Sequence, residues 1–189
     1  MSGLQANVEN AVADALIRHH RVTSFGLGPR YLQVLQQSGI VIKKTHRLEN
    51  LRSILSTGSP MSAELYTFVK DTIKHVFIQN TSGGTDICGG LVGGCHALPV
   101  YIGAIQVPVL GIALECWDEN GKRLPDGEQG DLVVTQRFPN QPLGLLGDDA
   151  KRTRLVSTYY DHFKKAVVWY QGDHSEQSHH LKAHYSYCC

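Results

Sequence analysis

Neither sign of charge dominates this chain: 18 lysine and arginine residues stand against 17 aspartate and glutamate residues. A formal charge of +1 sets up no field that would draw in a nucleic-acid backbone or an anionic bilayer, so neither is expected as a partner. Long apolar runs are missing too. The most hydrophobic stretch, Val107 to Trp117, is broken by Gly111 and Glu115 and falls far short of the ~20 residues that span a bilayer. Met1 to Asn10 carries Gln5, Asn7, Glu9 and Asn10 where an export signal needs a basic start and an unbroken apolar core. Cysteine is sparse and odd in number, with five residues of which Cys188 and Cys189 are adjacent. That arrangement suits no disulfide framework, and a reducing cytosol is the expected compartment. What remains, 42% hydrophobic and 19% charged residues, has the makeup of a globular domain or a piece of one.

Periodicity fills in the elements. Leu4, Val8, Val12 and Leu16 recur at helical spacing and predict a first amphipathic helix that ends near Arg18 to Arg21. Val22 to Phe25 reads as a short strand, after which Pro29 opens a helix through Tyr31, Leu32 and Leu35 that Gly39 stops. Leu51 to Leu55 is a second apolar strand, ending in the polar run Ser56-Thr57-Gly58-Ser59-Pro60, and Ser62 is placed to start the next helix. Leu65, Phe68, Val69 and Ile73 give that helix one buried face. Val76 to Ile78 is a third strand, apolar on both sides as in a covered parallel sheet, and it leads into Thr81-Ser82-Gly83-Gly84-Thr85-Asp86. Beyond Leu98 the pattern becomes antiparallel: an extended run to Trp117, an Asn120-Gly121 turn, a second turn from Pro125 to Gly130, and a strand at Leu132 to Val134. Asp148 to Phe163 predicts a charged helix with Leu155, Tyr159 and Phe163 on one side, and Ala166 to Tyr170 a final strand. The fold class is therefore α/β, a mixed sheet with flanking helices plus a small antiparallel β segment.

Chemistry concentrates at the ends of strands. In Ser82 to Asp86, glycines allow close backbone approach, a hydroxyl suits a phosphate oxygen and a carboxylate suits magnesium. It is no Walker-type loop, because no lysine precedes Thr85. The plainer reading is a glycine-rich turn with Asp86 capping a helix. Gly58-Ser59-Pro60 also leaves a strand end, where ligands of open α/β sheets gather, and Gly172-Asp173 offers a carboxylate to sugar hydroxyls.

These loops, in this order and approximate spacing, resemble those of the acyl-adenylate-forming (AMP-binding) superfamily. Ser82 to Asp86 is similar to its aromatic-Gly-x-Thr-Glu motif, with Ser82 in place of the aromatic residue. The resemblance implies phosphate contact at Thr85, magnesium at Asp86, adenine contact at Gly58, Ser59 and Pro60, and ribose contact at Asp173, with Ser82, Gly83 and Gly84 completing the nucleotide surface. Gly130-Asp131-Leu132 matches a structural Gly-Glu-Leu motif. The runs Ile54 to Pro60, Ser82 to Ile87 and Leu98 to Tyr101 resemble the acetoacetyl-CoA synthetase branch. It implies ATP with magnesium and coenzyme A as cofactors, and activation of acetoacetate to an adenylate followed by transfer to the coenzyme A thiol.

The resemblance covers roughly residues 22–173. Residues 1–21 read as a divergent helix where the family places a glycine-rich phosphate loop with its lysine. Residues 174–189 read as a divergent, disordered tail, and no arginine follows Arg154 to grip the ribose. The chain is accordingly expected to be an internal fragment, inactive alone. The alternatives are a non-catalytic nucleotide-binding or interaction fragment, or a splice product without function. His180 and His184 have spacing for a metal, but solvated polar residues are the plainer account. Cys88, Cys95 and His96 are expected to pack against the sheet, and Phe68, Trp117 and Trp169 to be core aromatics.

Overall fold

The computed structural model describes residues 20–126, 128, 130–163 and 169–170. The expected first helix, Ala166 to Val168 of the last strand, Gly172-Asp173 and the histidine-bearing tail lie outside the described residues. The chain divides into two compact units, one holding residues up to Thr81 together with Gly94–Gly103, the other Ser82–Gly93 together with the chain from Ala104 onward.

The first unit is a parallel strand–helix repeat. Strands β1 (Ser24–Leu27), β2 (Ser53–Ser56) and β3 (Phe77–Asn80) lie side by side in chain order, all parallel. Between β1 and β2, helix α1 (Pro29–Ser38) opens with proline in its first turn and closes on Gly39, whose φ of 70° places it in the left-handed region. A short turn of helix, α2 (Ile42–Thr45), follows. Helix α3 (Ala63–Phe68) begins after Ser62 and widens into a π-helical turn over Val69–Ile73. Ser62 holds the N-cap position, as its residue type suggests, yet its hydroxyl bonds the Glu64 carboxylate and no backbone amide. The face expected from Leu65, Phe68, Val69 and Ile73 is buried, and with Leu32, Leu35, Leu51, Ile54 and Ile78 it forms the core of this unit. Each such side chain contributes about 1.5–3 kcal/mol by leaving water. Lys74 closes the unit by donating to the carbonyls of Leu48, Glu49 and Leu51 at 2.5, 3.2 and 2.8 Å.

The second unit is antiparallel. Strands β4 (Ser82–Gly84), β5 (Gly89–Gly93) and β6 (Val107–Pro108) make one sheet; β7 (Leu114–Trp117), β8 (Asp131–Val134) and β9 (Trp169–Tyr170) make another. The Asn-Gly turn forms as expected. Asp118 Oδ1 accepts from the Asn120 and Lys122 amides at 3.0 and 2.8 Å, Gly121 takes a φ of 75°, and Arg123 bridges back to Trp117.

The helix expected from Asp148 to Phe163 is shorter, spanning α4 (Thr153–Tyr159). Arg152 turns left-handed at φ 57°, and the two aspartates serve the helix from outside it. Asp149 accepts from the Thr153 amide at 2.9 Å, while Asp148 accepts from the Arg154 and Leu155 amides at 3.0 and 2.9 Å. These are amides a helix start leaves without partners of its own. Leu155, Tyr159 and Phe163 are buried as their spacing requires. Leu155 and Tyr159 join Ile87, Leu91, Ile112, Val134 and Phe138 in the main core of this unit, while Phe163 packs with Val133 and Trp117.

Candidate functional site

The sequence-derived site residues fall into three groups. Gly58, Ser59 and Pro60 belong to the first unit, Ser82 to Asp86 to the second, and Asp173 lies outside the described residues.

Gly58-Ser59-Pro60 follows the carboxyl end of β2 and is exposed throughout. Gly58 has a φ of 89° with open space where a side chain would begin, so the requirement for glycine there is purely one of backbone conformation. Buried Met61 anchors the loop on its far side.

Ser82 to Asp86 is more built than the expected loop. Ser82–Gly84 is itself a strand paired antiparallel with β5, and Thr85 to Cys88 form the turn between them, closed by the Cys88 amide donating to the Thr85 carbonyl at 3.0 Å. No helix follows Asp86, so the capping role is corrected: residues Gly89–Gly93 turn back as a strand because Gly83 allows the two backbones to touch. A Cβ on Gly83 would lie 2.1 Å from the Gly89 carbonyl oxygen and 2.6 Å from the Gly90 Cα. The glycines that look like a phosphate cradle are thus also a steric condition of the hairpin.

Three attachments hold the turn. Ile87 is fully buried in the core of its unit. The Asn140 side-chain amide donates to the Ile87 carbonyl at 2.6 Å. The Tyr159 hydroxyl of α4 donates to Asp86 Oδ2. Burial, and then the hydrogen bond and negative charge of Asp86, push the Tyr159 phenol from 10.0 up to about 12, so it stays a donor at any physiological pH. Asp86 is exposed, leaving a carboxylate oriented by Tyr159 yet open to solvent.

Asn140 and Tyr159 were not among the residues singled out for chemistry. Tyr159 carried a signal, since a tyrosine on the buried side of a helix must find a partner for its hydroxyl, but nothing in its spacing names Asp86. Asn140 carried none. Of the three residues expected to pack against the sheet, His96 does so, stacking on Phe77 of β3 with ring centroids 3.9 Å apart, and Cys95 is half-buried, but Cys88 is corrected: it is exposed on the turn at φ 49°. Phe68 is a core aromatic, and half-buried Trp117 packs edge-on to Phe163. The side chain of Trp169 lies outside the described residues. Among the described residues no cluster of three metal-ligating side chains occurs and no helix is long and apolar enough to cross a membrane.

Gly130-Asp131-Leu132 is structural, as its resemblance implied. A Cβ on Gly130 would meet the Trp117 carbonyl oxygen at 2.4 Å and a Leu124 methyl at 2.5 Å, and Leu132 is buried.

Comparison with known proteins gives the same picture. The profile described as AMP-binding enzyme matches residues 3–139. The chain is 38% identical over 161 residues to an acetoacetyl-coenzyme A synthetase of Rhizobium meliloti (strain 1021), covering 85% of this chain and 24% of that protein. It is 39% identical over 154 residues to an acetoacetyl-CoA synthetase of Mus musculus, covering 81% and 22%. This chain thus spans about a quarter of the length of these relatives. The solved acetoacetyl-CoA synthetase from Streptomyces lividans superposes with a TM-score of 0.77 at 28% identity, over 89% of this chain and 25% of that one. A parallel strand–helix unit, a glycine-dependent hairpin and a family profile matched over most of the sequence lead to one statement: the chain belongs to the AMP-binding enzyme family and resembles the acetoacetyl-CoA synthetases within it.

Proposed function

We propose that this chain supplies part of the nucleotide surface of an ATP-dependent, AMP-forming acid–thiol ligase of the cytosol, one that activates acetoacetate and passes it to coenzyme A. In this reading Gly58, Ser59 and Pro60 contact adenine, Ser82, Gly83, Gly84 and Thr85 line the phosphate path, Asp173 binds the ribose hydroxyls, and Asp86 holds magnesium. The observation that carries it is the presentation of Asp86: an exposed carboxylate, held by a buried tyrosine, on a turn whose shape only glycine permits.

One such carboxylate suits magnesium, a hard cation that takes one or two carboxylates and completes its shell with water and substrate phosphates. When bound, the metal would neutralise charge between the carboxylate substrate and the triphosphate. This chain's own share is orientation. Tyr159 donates to one carboxylate oxygen of Asp86 and restricts its rotation, and the preceding residue, Thr85, is exposed. Donors fixed in advance need not reorganise when charge builds in the transition state.

No glycine-clustered phosphate loop with its lysine is legible in these 189 residues. The polypeptide by itself is therefore proposed to bind nucleotide without exchanging pyrophosphate into ATP, since catalytic groups of this kind act as a unit. Titration calorimetry with AMP and magnesium tests both parts. The folded chain is expected to bind, with Asp173→Ala weakening the affinity and Asp86→Asn removing its magnesium dependence. A folded chain whose affinity neither variant alters would sink the site assignment, and measurable exchange with acetoacetate would sink the inactivity.

A further inference from the structure

Beneath the strand ends of the first unit lies a group of polar atoms that the nucleotide reading does not use. Ser56 ends β2 and Asn80 ends β3, and the two stand opposite each other in the parallel register, one step beyond the pair Ile54 and Ile78 along the alternation. They share the face of those isoleucines, which packs into the core with Leu65, Tyr66 and Phe68 of α3. Relative exposures are 0% for Ser56, 4% for Tyr66 and 8% for Asn80. Ser56 Oγ and Asn80 Oδ1 each expose less than 1 Å² and meet no hydrogen-bond partner among protein atoms, and the Tyr66 hydroxyl, equally closed to solvent, has only the Asn80 side chain beside it, short of full hydrogen-bond geometry. The Asn80 amide lies beside the Tyr66 phenol: burial pushes the phenol up, and Asn80 pulls it partly back. Thr81 Oγ1 is also buried and without a partner, but the alternation sends it to the other face.

Leaving three such groups bare would consume a large part of the margin by which a domain is stable. Whatever joins them must be small, since the atoms are closed to solvent. It must be uncharged, since no ionic side chain is among them, and it must both donate and accept. We propose that Ser56, Tyr66 and Asn80 form a built site for one internal water molecule, through which Tyr66 positions the carboxyl ends of β2 and β3. The phenol donates to the water, which donates to Asn80 Oδ1 and to Ser56 Oγ, satisfying all three with the number of bonds buried waters make. The joint sits where the chain leaves β2 for Gly58 and where the Thr81 amide donates to the Ser56 carbonyl at 2.9 Å. It therefore braces the origins of two connections at once. It does not depend on which ligand the protein binds.

The sign of one substitution tests the site. If the hydroxyl is bridged, Tyr66→Phe in the full chain lowers the melting temperature by about 2–4 °C, the shift for one lost hydrogen bond in a protein of this size. It also speeds hydrogen exchange of the Thr81 amide. If the hydroxyl is an orphan, its removal raises the melting temperature or leaves it unchanged, which overturns the proposal. Ser56→Ala should behave alike, and the double variant should lose less than the two singles together, because either change breaks the same bridge. Additive losses would mean that no shared molecule exists. Should the variants fold poorly, water–hydroxyl cross-relaxation by NMR on the unaltered chain decides: a long-lived water at Tyr66 supports the site, and its absence refutes it.

Discussion

Single residues set the geometry of the candidate magnesium turn, and their effects are separable. The Gly83 requirement is steric: its missing Cβ would occupy the place of the Gly89 carbonyl, a backbone atom that cannot swing aside. Gly83→Ala is expected to cost about 1–3 kcal/mol, the range for overfilled packing; a thermal melt checks this. Tyr159 offers a different handle. Its phenol keeps its proton in the folded state up to about pH 12, whereas the unfolded chain loses it near the ordinary value of 10.0. Folding stability from this group is thus complete below the lower value and lost as pH rises to the upper one. Tyr159→Phe should flatten that alkaline decline in urea midpoints. An unchanged slope would show that the phenol titrates as if free.

At the scale of elements, caps decide where helices begin and end. Gly39 closes α1 at φ 70° with nothing within 4 Å of a prospective Cβ, so Gly39→Ala probes backbone strain alone. About 1–2 kcal/mol should be lost by urea denaturation, and Gly39→Asn should lose less, since asparagine tolerates this region. Equal losses would argue against a conformational origin. In α4 the capping carboxylates titrate. Desolvation opposes ionisation of Asp148, but the amides of Leu155, Arg154 and Asp149, with the Arg154 charge, hold its carboxyl below the ordinary value of 3.8. A depressed carboxylate stabilises above the unfolded value, and that contribution is lost as pH falls through the folded one. Asp148→Asn should therefore shallow the acid limb of the stability profile below pH ~4, as followed by circular dichroism.

Elements with self-contained signals were legible in the sequence. Pro29 and Gly39 bracket α1 because proline and glycine act through their own backbone, and Asn120-Gly121 makes its turn for the same reason. The helix expected from Asp148 to Phe163 was overextended at both ends, since it spans only Thr153–Tyr159 and the charges that look like its first turn belong to a loop that folds back to cap it. Ser82 to Asp86 was read as a loop because glycine has no strand propensity. Its strand exists only because Gly89 and Gly90 pair with it from across the turn.

For the whole molecule, the surface matters as much as the core. Leu110, Leu143 and Leu146 expose 98%, 83% and 101% of their area, more than single surface leucines need. Replacing all three by serine should improve solubility while shifting stability by no more than about 0.5 kcal/mol per site. Sedimentation and a melt would measure both, and a marked drop in melting temperature would show that these side chains are packed.

The order of elements, the apolar faces and the family resemblance follow from sequence by itself, because periodicity, proline and glycine act locally and motif order survives without coordinates. Tertiary structure alone decided that Tyr159 orients Asp86, that Asn140 ties down the turn, and that the polar ends of Ser56, Tyr66 and Asn80 are closed off from solvent. Those pairings join residues up to 73 positions apart, and a side chain carries no local mark of the partner that folding brings to it.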